Sequence, residues 1–229
     1  MTKLKAIIFD VDGTLYRPMP ELSHELYRYW VKRISDFLRI PEEQAEVRYA
    51  ELKKKYKSST LALASLGIGN PREIIKQAEH HMRSYHREYI IKDRDLIKIL
   101  KVLKHHYTLA TLRNGTRAGT RYVLSLLGFS ARRDAWKQRG FGPFDFVLPT
   151  VELGPTKPAP EPFKNALKQL GFDPSEILVI GDRVEIDLIP AKRFGMKTVL
   201  VTWGENIQYD PQDVDSVIET IYEVEDLIP

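Results

Sequence analysis

Residues 6–18 read AIIFDVDGTLYRP, and the way this stretch stops being apolar decides how the rest of the chain is read. Residues 4–9, LKAIIF, are short, apolar and partly β-branched, which suits a buried strand. The run ends at Asp10, and Asp12 follows two residues later. On a backbone that stays extended, residues two apart project the same way. Two carboxylates side by side repel each other, and a divalent cation relieves that repulsion. Oxygen-only ligands with retained waters suit Mg²⁺. Gly13 allows a turn that a side chain would block.

Working outward, the pattern changes at once. Residues 20–90 read as helical throughout. In PELSHELYRYWVKRISDFLRI, Leu22, Leu26, Tyr29, Trp30, Ile34, Phe37 and Leu38 recur at helical spacing. A second helix starts near Pro41 and places Ala45, Tyr49, Leu52 and Tyr56 on one face. STLALASLG is a shorter helix that ends at a glycine. The next begins with Asn70 as N-cap, Pro71 and Glu73, and carries Ile74, Ala78, Met82, Tyr85 and Tyr89 as its stripe. From residue 93 strands and helices alternate: a helix at 95–105, a strand at 107–112, a helix at 117–127 and a strand at 144–149. A helix at 160–170 stops at Gly171. A strand at 176–181, a helix to Phe194, a strand MKTVLVT, and a closing strand and helix complete the chain. This alternation argues for an α/β fold, a doubly wound parallel sheet with helices on both faces. The expected organisation is a Rossmann-like core of residues 1–16 and 93–229, with residues 17–92 inserted as an all-helical domain.

Composition excludes several classes of function. The chain has 229 residues, 43% of them hydrophobic, enough for a sizeable core. There are no cysteines, so disulfides, thiol catalysis and thiolate metal sites are ruled out. MTKLKAIIFD does not resemble a signal peptide, and no stretch is long enough to span a membrane, so a cytoplasmic protein is expected. Abundant charge with few amides hints at a thermophile. The net charge of +4 is unevenly spread, with a basic middle and an acidic tail after Glu205. A basic middle attracts anions, although a solvated surface explains it more simply. No nucleic-acid module is visible.

In a doubly wound sheet, ligands bind beyond the carboxyl ends of the strands. The residues there are Asp10 and Asp12 after the first strand, Arg113 and Asn114 after the second, Lys157 some way after the third, and Asp182 and Asp187 after the fourth. Four acids and two of the cationic side chains thus converge from separate loops, which no purely structural purpose requires. Asp182 is placed to complete the metal site, and Asp187 to ligate directly, through water or by orienting Asp182.

At this point the chain resembles the haloacid dehalogenase superfamily of hydrolases, mainly phosphatases. Asp10-Val11-Asp12-Gly13-Thr14 matches its first motif, DxDGT. Lys157-Pro158 matches its third, and Gly181-Asp182 through Asp187 its fourth, GDxxxxD. The helical insert is similar to the family's C1 cap. The second motif departs: where the family usually has Ser or Thr, this chain has Arg113, followed by Asn114.

The resemblance implies a Mg²⁺-dependent phosphomonoester hydrolase acting on a small phosphorylated metabolite. In it Asp10 is the nucleophile that forms an aspartyl-phosphate, and Asp12 is the acid and then the base. Asp10, Asp12 (through its backbone carbonyl), Asp182 and Asp187 hold the metal. Lys157, Arg113 and Asn114 bind the phosphoryl oxygens. A phosphotransferase or mutase of the same superfamily, or an attenuated anion-binding protein, are the alternatives, and the departure at Arg113 motivates the last. A dehalogenase needs neither an acid at Asp12 nor a metal. His80, His81 and His86 read as a solvated helix face. The segment 130–143 reads equally as a flank of the active site or as a basic surface loop. Oligomeric state is not legible.

Overall fold

β1 (Ala6–Phe9) is completely buried and lies inside a six-stranded parallel sheet. The other strands are β2 (Thr108–Arg113), β3 (Phe146–Pro149), β4 (Ile177–Gly181), β5 (Lys197–Val201) and β6 (Ser216–Ile218). Their order is β3-β2-β1-β4-β5-β6, with Phe9 in register with Thr111 on one side and Ile180 on the other. Strand order reverses between β1 and β4, and the crevice beyond such a reversal is where doubly wound folds bind ligands. The computed structural model describes residues 3–130 and 140–227. The chain divides into two units, Met1–Pro18 with Ile90–Pro229, and Met19–Tyr89.

Period-two alternation builds the two faces of the sheet. Ala6 and Ile8 join Ala110, Leu112, Leu148, Ile177 and Val179 in one apolar cluster. Phe163 and Ala166 of α8 (Pro160–Leu170) and Ala191 of α9 (Ile189–Arg193) cover it. On the other face Phe9 meets Phe144 edge to face, and Phe144 meets Phe129 in the same way. α5 (Arg94–His106) buries Leu96, Leu100 and Leu103, and Asp93 caps it by accepting from the Asp95 and Leu96 amides. α6 (Arg117–Leu126) is capped by Thr116, and α8 ends at Gly171 in the left-handed conformation.

The second unit is helical: α1 (Pro20–Leu38), α2 (Glu42–Tyr56), α3 (Ser59–Ser65) and α4 (Pro71–Tyr89). Its core gathers Trp30, Val31, Ile34, Ala45, Tyr49, Leu63, Ile74 and Ala78. Asn70 accepts from the Glu73 amide, as its position predicts. Phe37 and Leu38, expected on the buried stripe, are exposed in the last turn of α1. His81 also departs from expectation. It is hydrogen-bonded to Glu25 at 2.8 Å and stacked on Tyr29, while His80 is exposed.

Four local features differ from the pattern-based reading. β2 runs one residue further than expected, so Arg113 is its last residue, opposite Pro149. A one-turn helix α7 (Thr150–Leu153) follows β3. The helix after β4 begins as a π-turn, Val184–Leu188, in which the Ile189 amide bonds back to the Val184 carbonyl. Pro190 lacks an N–H and cannot make the ordinary bond to its own i−4 carbonyl, which favours such a bulge. Finally, the closing helix α10 (Val224–Leu227) is a single turn after a 3₁₀ turn. Most of segment 130–143 lies outside the described residues. No helix among the described residues is long and apolar enough to cross a membrane.

Phe163 is fully buried in the β1–β2–β4 face. Phe163→Ala should lower stability by ~3–5 kcal/mol, the usual cost of such a cavity. Urea unfolding measures this, and a change below ~1 kcal/mol would contradict the packing described.

Candidate active site

Asp10 is the first residue past β1, and its amide still donates to the Ile180 carbonyl at 2.9 Å. That bond holds the carboxylate against the end of β4. The chain then turns through Gly13 at φ +82°, with the Leu15 amide bonding back to the Val11 carbonyl. A Cβ on Gly13 would sit 2.5 Å from Oδ2 of Asp182, so the glycine answers both the backbone angle and the closeness of that acid. Gly181 is equally constrained: a Cβ there would lie 2.7 Å from Cβ of Asp187. Gly13 lets the turn after β1 close on Asp182, and Gly181 lets Asp187 fold back against the end of β4.

Lys157 is the cross-tie. Its Nζ donates to Oδ1 of Asp10 at 2.8 Å and to Oδ1 of Asp187 at 2.5 Å, with all three side chains nearly inaccessible. Asn114 places it: the Lys157 amide donates to Asn114 Oδ1 at 2.8 Å, and Asn114 Nδ2 donates to the Lys157 carbonyl at 3.0 Å. The Asn114 amide, expected on the phosphoryl group, is thus engaged with the lysine's backbone. Burial works against the charge on Lys157, but Asp10 and Asp187 outweigh it and hold its pKa above the usual value. For Asp10 burial dominates and raises the pKa; Lys157 opposes it and Asp187 adds to it.

Asp10, Asp182 and Asp187 each bring a carboxylate oxygen within 4.8 Å of the others. Lys157 satisfies one oxygen of Asp10 and one of Asp187, and the second oxygen of each is buried with no hydrogen-bond partner. A buried acceptor left unmatched costs free energy. Among the described residues Asp182 accepts one long hydrogen bond, from the Thr14 hydroxyl at 3.3 Å, and burial together with the Asp10 charge pushes its pKa up to about 8. Two orphaned oxygens beside a destabilised carboxylate are what an oxygen-liganded divalent cation would satisfy. The donor set therefore fits a hard metal ion.

Asp12 faces a different environment. Its Oδ2 accepts from Arg113 Nε at 2.6 Å and its Oδ1 from the Tyr16 hydroxyl at 2.7 Å. Its side chain is 42% exposed, whereas Arg113 is buried. Thr111, one turn of the pleat earlier, is fully buried with no partner for its hydroxyl. Arg113 thus rests on an acid of the first motif.

Three participants escaped the sequence reading. Arg183 lies within electrostatic reach of Asp187, Asp182, Asp10 and Asp12, which hold its guanidinium above its ordinary pKa against the opposing effect of burial. Its position next to Asp182 was a signal; its direction was not. Trp203, in the loop after β5, donates Nε1–H to the Gly13 carbonyl at 2.7 Å from a left-handed backbone, φ +53°. Tyr16 carries no motif signal at all. Among the described residues the site sets the acids Asp10, Asp12, Asp182 and Asp187 against Lys157, Arg113 and Arg183.

A family model for haloacid dehalogenase-like hydrolases matches residues 4–195. The chain is 29% identical to a glyceraldehyde 3-phosphate phosphatase of Methanocaldococcus jannaschii, covering 98% of this chain and 97% of that one. It is 27% identical to the enzyme of that name from Methanopyrus kandleri, covering 93% and 91%. A solved phosphatase from Thermococcus onnurineus shares the fold, with a TM-score of 0.64 at 22% identity over 98% of this chain and 97% of that one. The motif residues at the strand ends, the order of the sheet and these matches agree: the chain belongs to the haloacid dehalogenase-like hydrolases, on the phosphatase side of that superfamily.

Proposed function

We propose that the protein hydrolyses phosphomonoesters of small metabolites through an aspartyl-phosphate on Asp10, in a reaction that requires Mg²⁺. The observation that carries this reading is the arrangement at the strand ends: a buried Asp10 with one oxygen on Lys157 and the other orphaned beside Asp182 and Asp187. The two full-length relatives named for glyceraldehyde 3-phosphate make a phosphorylated three-carbon compound the first substrate to try.

Asp10 Oδ2, Asp182 and Asp187, with the Asp12 carbonyl, would hold Mg²⁺. Once bound, the ion neutralises phosphate charge and lets an anion approach an anionic carboxylate. The protein's own groups do the rest. Asp10 Oδ1 attacks phosphorus as the ester P–O bond breaks. Asp12 gives a proton to the departing oxygen, then takes one from the water that attacks the acyl-phosphate, which releases inorganic phosphate and restores Asp10. Lys157 fixes the attacking carboxylate, and its charge serves the phosphoryl oxygens. Asn114 contributes by placing Lys157. Residues 17–92, which include the compact helical unit Met19–Tyr89, would act as a C1-type cap that selects the substrate.

A second reading rests on Arg113. Because its Nε is paired with Asp12, a weakly active, anion-holding protein is the alternative, and phosphate release from 4-nitrophenyl phosphate with and without Mg²⁺ separates the two. The account expects turnover only with the metal.

Asp10→Asn should keep the fold and reduce phosphate release to background, since an amide cannot become an acyl-phosphate. Residual activity within tenfold of wild type would remove Asp10 from the mechanism. Asp182→Ala should raise the Mg²⁺ concentration needed for activity far more than Glu185→Ala, whose side chain is exposed. Equal responses would contradict the metal site.

The metal should also stabilise the fold in a pH-dependent way. Asp182 has a folded pKa near 8, above its unfolded value, so its contribution to stability is complete below about pH 4. That contribution is lost as pH rises through 8. Mg²⁺ binds the ionised form, so the Tm increase it gives should be larger at pH 8.5 than at pH 5. A shift that is independent of pH would count against Asp182 as a ligand.

A further inference from the structure

The Asp12 carboxylate is held at both ends: Tyr16 O–H donates to Oδ1 at 2.7 Å and Arg113 Nε–H to Oδ2 at 2.6 Å. The two donors come from separate places. Tyr16 lies four residues along the turn that leaves β1, where it forms an isolated bridge with Asp12, and Arg113 ends the neighbouring strand β2. Both side chains are buried, whereas the Asp12 carboxylate is partly exposed. One donor on each oxygen fixes both torsions of a short side chain. A lone carboxylate at a strand end would instead sample several rotamers.

We propose that Tyr16 and Arg113 are positioning residues that clamp Asp12 for proton transfer to and from substrate oxygen. Arg113 therefore serves the reaction from the place where the family's second motif usually has a hydroxyl. This inference rests on the role given above to Asp12, because a clamp matters only if the clamped group reacts. It moves the reading of Arg113 away from direct contact with phosphate. Proton balance is unchanged: the proton still passes from Asp12 to the leaving oxygen and returns from water, and neither clamp residue gains or loses one.

Proton transfer matters in proportion to how poor the leaving group is. An alkoxide needs its proton as the P–O bond breaks, whereas 4-nitrophenolate leaves unaided. Tyr16→Phe removes only the hydroxyl. It should lower kcat/KM about tenfold on glycerol phosphate and less than about twofold on 4-nitrophenyl phosphate. Arg113→Met should show the same split. Equal losses on both substrates, a loss confined to the aryl substrate, or no loss would overturn the clamp. Crystal structures of the wild type and both variants test it without turnover. Asp12 should occupy one rotamer in the wild type and leave it in each variant, and an unmoved Asp12 in both would overturn the proposal. An inactive wild type would defeat the hydrolase reading alone, with the crystal comparison still deciding the clamp.

Discussion

The ammonium group of Lys157, shared between Asp10 and Asp187 in the interior, is the contact on which the site depends. Isolated charges at such depth are very costly, and a buried pair is tolerable only with good geometry and further hydrogen bonds. Here one cation meets two anions, so Asp10 and Asp187 together still exceed it. One oxygen of each carboxylate is left without a hydrogen-bond partner. The bridge thus fixes Asp10 and at the same time leaves the pair of carboxylates short of positive charge. The Asn114 amide, bonded twice to the lysine's backbone, ties this arrangement to the end of β2. Three strand ends and the loop after β3 are connected through a single residue, by its side chain to Asp10 and Asp187 and by its backbone to Asn114.

Crowding sets the rest. Gly13 permits a closeness between the β1 loop and Asp182 that a Cβ would prevent, and Gly181 lets the chain after β4 fold Asp187 back against the strand end. The Trp203 indole closes the arrangement from the β5 side by taking the Gly13 carbonyl. The sheet reverses its order between β1 and β4, and the acids collect beyond the strand ends at that reversal. The chemistry is separated within the site. Asp10, Asp182 and Asp187 bring their carboxylates within 4.8 Å of one another, a set that would suit a cation, while Asp12 has a donor on each oxygen.

Much of this was legible in the sequence. The apolar run ending at Asp10 marks a buried strand, and the strand–helix alternation after residue 93 marks the parallel sheet, because both patterns come directly from burial periodicity. Motif spacing placed Asp10, Asp182, Asp187 and Lys157 at strand ends, and the structure brings them within contact. What was not legible depends on side-chain direction across elements distant in sequence. Nothing in LATLRNG shows that Arg113 turns to Asp12, 101 residues earlier, or that Asn114 bonds a backbone 43 residues later. The Trp203–Gly13 contact spans 190 residues and has no periodic signature. Phe37 and Leu38 misled because helical spacing does not show where a partner surface ends.

The central claim is that Asp10 carries the phosphoryl group. It can be read directly by quenching the enzyme during turnover with a phosphorylated three-carbon substrate and Mg²⁺, reducing with borohydride and sequencing the peptides by mass spectrometry. An acyl-phosphate is reduced to an alcohol, so the account predicts homoserine at position 10, dependent on substrate and on the metal. Phosphate release that proceeds with aspartate intact at position 10, or with the reduced residue elsewhere, would contradict it.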